Sequence, residues 1–161
     1  MADETDFDEI TLLVGINGLS IFKFKGSELW PILCTVYSVP SLAKEVFPIG
    51  FYFGSSKPQT PKFLEPFVEE ISRLINNGVI IKSSIVIRVE PPGFCCDAPA
   101  KSLVKGTINH IGYFSCHMCT VQGSYADHWV CFPEINYALR THTDFMEEKK
   151  NIQSIINVTL Y

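Results

Sequence analysis

One amphipathic helix between two groups of β-rich segments is the feature that most limits how this chain can fold. Residues 60–77, TPKFLEPFVEEISRLINN, repeat apolar side chains at the i, i+3, i+4 spacing of a single helix face. Thr60 suits the N-cap, Pro61 suits the first helical position, and Asn77 with Gly78 suits the end. Because β-rich segments lie on both sides, the pattern predicts a mixed α/β sheet with flanking helices.

The β-rich segments give the order strand, strand, strand, strand, helix, strand, helix. The first two flank residues 17–18, Asn-Gly, a pair typical of two-residue turns, so we expect a hairpin there. ELWPILCTVYSV and VFPIGFYFG predict the third and fourth strands, and VIIKSSIVIRVEPPGFCC predicts one or two more. APAKSLVKGTINHI then predicts a second helix with Asp97 at or near its N-cap.

Composition narrows the class of protein. A chain of 161 residues that is 47% hydrophobic suits one globular domain, and a formal net charge of −4 argues against strong nonspecific DNA binding. The acidic start does not resemble a signal peptide, and no apolar run is long enough to span a bilayer. We therefore expect a nuclear or cytoplasmic protein with reduced cysteines, no membrane partner and no small-molecule substrate.

The cysteines suggest a structural metal site. Cys116-x₂-Cys119-x₈-His128-x₂-Cys131 supplies four zinc ligands by count, and paired thiols in a reducing compartment favour a zinc knuckle. The alternative is that these are ordinary half-buried cysteines in a Phe-rich loop.

Four lysines suggest a contact with nucleic acid. Lys101 and Lys105 lie four residues apart on one face of the second predicted helix, and Lys23 and Lys25 lie in the second β-rich segment. Together they predict a small basic patch, with a solvated helix face as the alternative.

Several segments resemble one family, the DDE-type DNA transposases of the CACTA-like (EnSpm) group. The similar segments are INGLSIFK, LWPILC, FPIGFYFGSSKP, FLEPFVEEISRLINNGV, CDAPAKSLVKGTINHIGYFSCHMCTVQG, VCFPE and LRTHTDF. The resemblance implies an RNase H-like catalytic core with a cysteine-bearing insertion after the second helix. It also implies an incomplete domain, divided into an acidic tail (1–9), a partial core (10–110), the insertion (111–146) and a truncated C-terminal tail (147–161).

The resemblance assigns catalytic roles to two positions. The family's second acid corresponds to Asp97, whereas its first acid corresponds to Asn17, and the third is expected beyond Tyr161. An asparagine offers one neutral oxygen where a carboxylate would bridge two Mg²⁺ ions. Asp97 then has an alternative role as a helix N-cap. The family also keeps the Cys-x-x-Cys pair and a histidine that corresponds to His110, an alternative zinc ligand.

Three functions follow as hypotheses. The first is a transposase-derived RNase H-like fragment without catalysis, either a remnant or a domesticated module that binds DNA or another transposase-derived chain. The second is a Mg²⁺-dependent transposase or nuclease that obtains its missing acids from elsewhere. The third is a small interaction domain stabilised by zinc. The replaced acid at Asn17 and the acidic charge balance favour the first.

Overall fold

The computed structural model describes residues 8–22, 26–82, 84–109, 111–132, 137–141 and 143. These residues form two compact units, the first ending at Asp97 and the second beginning at Ala98. The fold is α/β, with a mixed sheet and two helices among the described residues.

The elements of the first unit are β1 (Glu9–Ile16), β2 (Leu19–Phe22), β3 (Ser27–Val36), β4 (Phe47–Gly54), α1 (Thr60–Asn77), β5 (Val79–Ile81) and β6 (Ile85–Cys96). The elements of the second unit are α2 (Ala98–Lys105), β7 (Ser124–Ala126) and β8 (Trp129–Cys131). In the part of the chain that the structure describes, no helix is long and apolar enough to cross a membrane.

The strands of the first unit form one sheet in the order β2-β3-β1-β6-β5, with β4 paired to β3 as well. β3 runs antiparallel to β1, β2 and β4, whereas β1 and β6 run parallel. Parallel neighbours need a crossover connection, and α1 lies in the chain between β4 and β6, the strand that returns beside β1. The mixed sheet predicted from the sequence is confirmed.

The hairpin predicted at residues 17–18 is wrong. β1 pairs with β3 up to Ile16 opposite Ile32, and β2 continues in the same register from Leu19 opposite Leu29. β1 and β2 therefore lie end to end along the same edge of β3 and run in the same direction. The Asn-Gly pair interrupts the strand without reversing the chain, because β3 is long enough to pair with both β1 and β2.

One face of the sheet contributes five residues to the buried core. Its fully or nearly buried side chains are Val14, Ile16, Trp30, Ile32 and Cys34. α1 contributes Leu64 and Ile71 to the core. Two edge-to-face ring pairs connect α1 to the sheet, one between Phe63 and Tyr52 of β4 and one between Phe67 and Phe94 of β6.

The bounds of α1 agree with the sequence prediction, although its N-cap does not. The residue in the N-cap position is Gln59, with extended backbone, and Thr60 is already helical. Gly78 ends the helix at φ 71°, a conformation that glycine adopts without steric cost, and its N–H donates to the carbonyl of Leu74. Pro66 lies inside the helix without ending it.

α2 is shorter than predicted, since the helical pattern APAKSLVKGTINHI stops at Lys105. Gly106 follows at φ 62° and donates its N–H to the carbonyl of Leu103, which closes the last turn. Farther along, β7 and β8 form a small antiparallel hairpin. Its two turn residues, Asp127 and His128, both have positive φ, at 49° and 68°, as a tight two-residue turn requires.

Candidate functional site

The first candidate site lies where β1 and β6 end side by side. Their parallel register reaches Ile16 opposite Cys96, so the next residue of each strand, Asn17 and Asp97, lies at the same edge of the sheet. The backbone N–H of Asp97 donates to Oδ1 of Asn17 at 2.8 Å, and both residues are exposed. Two positions separated by 80 residues are thus in direct contact.

The chemistry at this edge differs from that of a carboxylate pair. The side-chain amide of Asn17 has one oxygen, and that oxygen already accepts the N–H of Asp97. Mg²⁺ favours anionic oxygen ligands and gives up its hydration water reluctantly, so a neutral amide is a poor replacement for a bridging carboxylate. Asp97 directly precedes α2 and so occupies the position predicted for its N-cap.

Gly18 lies in this site for a reason that the sequence does not reveal. A Cβ atom at this position would be 2.6 Å from Cζ2 of Trp30, a distance that real Cβ atoms do not tolerate. The Trp30 ring is almost fully buried, and its Nε1 donates to Oε2 of Glu28 at 2.8 Å. The glycine that suggested a turn is therefore a close-packing position beneath an indole ring.

The second candidate site is the Cys116–Cys119 loop of the second unit. The two Sγ atoms are 3.4 Å apart. Burial opposes ionisation of Cys116, but the backbone N–H groups of Met118 and Cys119, the Cys119 thiol and the charge of Arg140 together hold the Cys116 pKa below its ordinary value. Amides directed at a sulfur stabilise a thiolate, which is the form that binds metal.

Arg140 closes this loop, and sequence reasoning missed it. Its Nε donates to the carbonyl oxygens of Cys116 at 2.9 Å and Cys119 at 3.0 Å, and Nη2 donates to the carbonyl of Phe114 at 3.3 Å. The backbone adds a bond from the Arg140 N–H to the carbonyl of Met118. A lone arginine some twenty residues after the cysteines gives no pattern that could have predicted this role.

The other predicted zinc ligands are not assembled with this pair. His128 lies in the exposed β7–β8 turn, and Cys131 is exposed on β8. Within the described ranges no group of three or more His, Cys, Asp or Glu side chains is arranged to hold a metal ion. The described structure thus does not bring Cys116, Cys119, His128 and Cys131 together as a four-ligand cluster. His110 lies outside the described residues.

Of the four predicted nucleic-acid-binding lysines, the structure describes the two on α2. Nζ of Lys101 lies 2.8 Å from Nε2 of His117 in the cysteine loop, a neighbour that the sequence did not indicate. Burial, and then the charges of Lys101 and Lys105, lower the pKa of His117. Lys23 and Lys25 lie outside the described residues.

Comparison with known proteins adds no relative. No family model matches the chain, and neither does a curated protein or a solved structure.

Proposed function

We propose that this chain is a transposase-derived RNase H-like module that does not cleave DNA. The observation that carries the proposal is the direct contact between Asn17 and Asp97. The resemblance to CACTA-like transposases assigns the first two catalytic acids to these two positions. Two-metal phosphoryl transfer requires such positions to be neighbours, because the ions that they bridge lie about 4 Å apart.

The order of the sheet supports the same proposal. An antiparallel meander of β1, β3 and β4 is followed by α1 and then by β6, which returns parallel to β1. A meander, a crossover helix and a returning central strand are the elements that we expect of an RNase H-like core. The two assigned positions then follow the carboxyl ends of its two central parallel strands.

Loss of cleavage follows from the residue at position 17. The amide oxygen of Asn17 is neutral and is engaged by the N–H of Asp97. Asp97 is therefore the one of these two positions with a carboxylate for a divalent ion, and Asn17 does not supply the second anion that would help to fix another ion beside the first. The module thus keeps the geometry of the site without its charge.

A cleavage assay tests this proposal. Supercoiled plasmid incubated with the protein in Mg²⁺ or Mn²⁺ should remain intact, because Asn17 offers a neutral oxygen where a second carboxylate would help to bridge two ions. Mass spectrometry must first show that Asn17 is not deamidated, since Asn-Gly converts readily to Asp-Gly. Nicking by intact protein that disappears in Asp97→Ala would instead support the live-enzyme hypothesis, with acids supplied from elsewhere.

A second candidate function, an interaction module stabilised by zinc, is favoured by the cysteine loop. The 3.4 Å separation of the Cys116 and Cys119 sulfurs and the N–H groups directed at Cys116 suit a zinc knuckle. Arg140 holds the same loop by donating to the carbonyl oxygens of Cys116 and Cys119. This function is compatible with the first, since a structural metal in the second unit needs no chemistry at Asn17.

A further inference from the structure

We propose that Asn17 is a site of spontaneous deamidation, which returns a carboxylate to the edge where β1 and β6 end. The sequence contains two Asn-Gly pairs, residues 17–18 and residues 77–78, and both asparagines are exposed. The backbone around the two pairs differs, and that difference selects Asn17. The modification does not depend on the proposed function, whereas its consequence for metal binding rests on it.

The reaction needs no group beyond the chain and water. The backbone nitrogen of Gly18, after losing its proton to base, attacks Cγ of Asn17, and glycine permits this approach because it has no side chain. A C–N bond forms, Oδ1 takes the negative charge, and the bond to Nδ2 then breaks to release ammonia. Water opens the resulting succinimide at either carbonyl and gives aspartate or isoaspartate at position 17.

The attacking nitrogen of Gly18 is not held by the sheet. Gly18 lies in the two-residue interruption between β1 and β2, outside the residue pairs that each strand makes with β3. Among the described residues, no backbone carbonyl accepts its N–H. The nitrogen can therefore lose its proton and form the ring without first breaking a hydrogen bond of the sheet.

The attacked amide of Asn17 is polarised. Its Oδ1 accepts the backbone N–H of Asp97 at 2.8 Å. A donor at this oxygen stabilises the negative charge that develops there during the attack, as the donors of an oxyanion hole do. Because Asn17 is exposed, water reaches the succinimide and ammonia can leave. The contact that makes Asn17 a poor metal ligand thus favours its conversion to a carboxylate.

Asn77 provides the contrast within the same chain. It is the last residue of α1, and the N–H of Gly78 donates to the carbonyl of Leu74 at 2.8 Å. The nitrogen that would attack is therefore engaged in the hydrogen bond that closes the helix. Ring formation must first open the end of α1, so we expect Asn77 to be protected in the folded protein.

The first experiment incubates the folded protein in mildly alkaline buffer and follows both pairs by peptide mass spectrometry. Asn17 should deamidate at least about tenfold faster than Asn77, which corresponds to a barrier difference of about 1.4 kcal/mol. The protein unfolded in urea is the matched control, because neither pair then has a fixed backbone and the two rates should be equal. If folding slows Asn17 as much as Asn77, the structure does not select Asn17 and the proposal fails.

A second arm tests the product. Digestion with an endoproteinase specific for aspartate, which isoaspartate resists, measures the share of aspartate at position 17. The deamidated protein, separated by anion exchange, should gain Mn²⁺ affinity in proportion to that share, with Asn17→Asp as the reference. Asn17→Gln forms the larger ring much more slowly and should gain none during the same incubation. A gain in incubated Asn17→Gln would assign the new affinity to another residue and overturn the proposal.

The two arms also separate this proposal from the proposed function. Selective deamidation of Asn17 without any gain in Mn²⁺ affinity would confirm the modification and contradict the former metal site. Equal protection of Asn17 and Asn77 would refute the modification and leave the cleavage assay on intact protein unaffected.

Discussion

At the scale of single residues, Gly18 connects the candidate site to the core. A methyl group at this position would meet two atoms of the Trp30 ring at 2.6 and 2.7 Å. We expect Gly18→Ala to lower the free energy of unfolding by about 1–3 kcal/mol, the usual cost of overpacking, because the buried indole must move. Chemical denaturation followed by Trp fluorescence measures this change.

Gly15 of β1, three residues before Gly18, provides the control. A Cβ atom there would have Cβ of Leu33 at 3.8 Å as its nearest neighbour, which is ordinary van der Waals contact. Gly15→Ala should therefore change stability little, or raise it slightly through the lower entropy of the unfolded chain. Equal destabilisation by Gly15→Ala and Gly18→Ala would show that the ring above Gly18 is not the cause.

Asn17 illustrates which site residues sequence can predict. The resemblance named positions 17 and 97, and the structure brings both together. Arg140 and His117 were missed, because an arginine that donates to carbonyls and a histidine that accepts from a lysine leave no spacing pattern. Such contacts depend on the conformation of the loop, which no pattern in the sequence specifies.

At the scale of elements, α1 contains an internal strain that can be removed. Pro66 is exposed in the seventh position of the helix and offers no N–H to the carbonyl one turn earlier. Pro66→Ala should raise the free energy of unfolding by about 1–3 kcal/mol, up to the penalty of an interior proline. Thermal unfolding followed by circular dichroism measures this gain.

Pro61 is the control for this prediction because it lies in the first turn of α1, where the N–H has no helical partner. Pro61→Ala should therefore give little gain in stability. A gain equal to that of Pro66→Ala would mean that general helix propensity, and not the missing hydrogen bond, explains the effect.

The cysteine loop allows a metal prediction. Zinc should co-purify at about one equivalent per chain, held at least by Cys116 and Cys119, because the N–H groups directed at Cys116 favour its thiolate and the Cys119 sulfur lies 3.4 Å away. Elemental analysis should find it lost in Cys116→Ser with Cys119→Ser. Zinc retained by that double variant, or absent from the parent, would contradict the prediction.

Cys131 tests the ligand set. It is exposed on β8 and belongs to no cluster of three potential ligands in the described chain. Cys131→Ser should therefore leave the zinc content unchanged. A fall in zinc would restore the four-ligand arrangement suggested by the spacing in the sequence, with His128 as the fourth ligand.

Elements also differ in how well their sequences predict them. α1 has the predicted bounds because apolar periodicity and Gly78 act locally. The reversal expected at residues 17–18 did not occur, since turn propensity lost to pairing with β3. α2 ended early, because Gly106 adopts positive φ within a sequence whose apolar periodicity continues. Long-range pairing and glycine conformation thus account for the failures.

At the scale of the whole molecule, the central claim is that positions 17 and 97 keep the arrangement of an ancestral metal site, although Asn17 no longer supplies a carboxylate. One substitution tests the arrangement by restoring the missing charge. Asn17→Asp adds an exposed carboxylate beside Asp97, where β1 and β6 end together. Asn76→Asp makes the same chemical change on an exposed residue of α1 and serves as the control.

Mn²⁺ affinity, measured by electron paramagnetic resonance of the free ion, tests the claim most directly. Asn17→Asp should bind Mn²⁺ about tenfold more tightly than the parent, since a carboxylate a few ångströms from a divalent ion contributes roughly 1–2 kcal/mol even in water. Asp97→Asn added to Asn17→Asp should abolish the gain, and Asn76→Asp should show none. If Asn17→Asp binds no better than Asn76→Asp, the edge of β1 and β6 is not a former metal site.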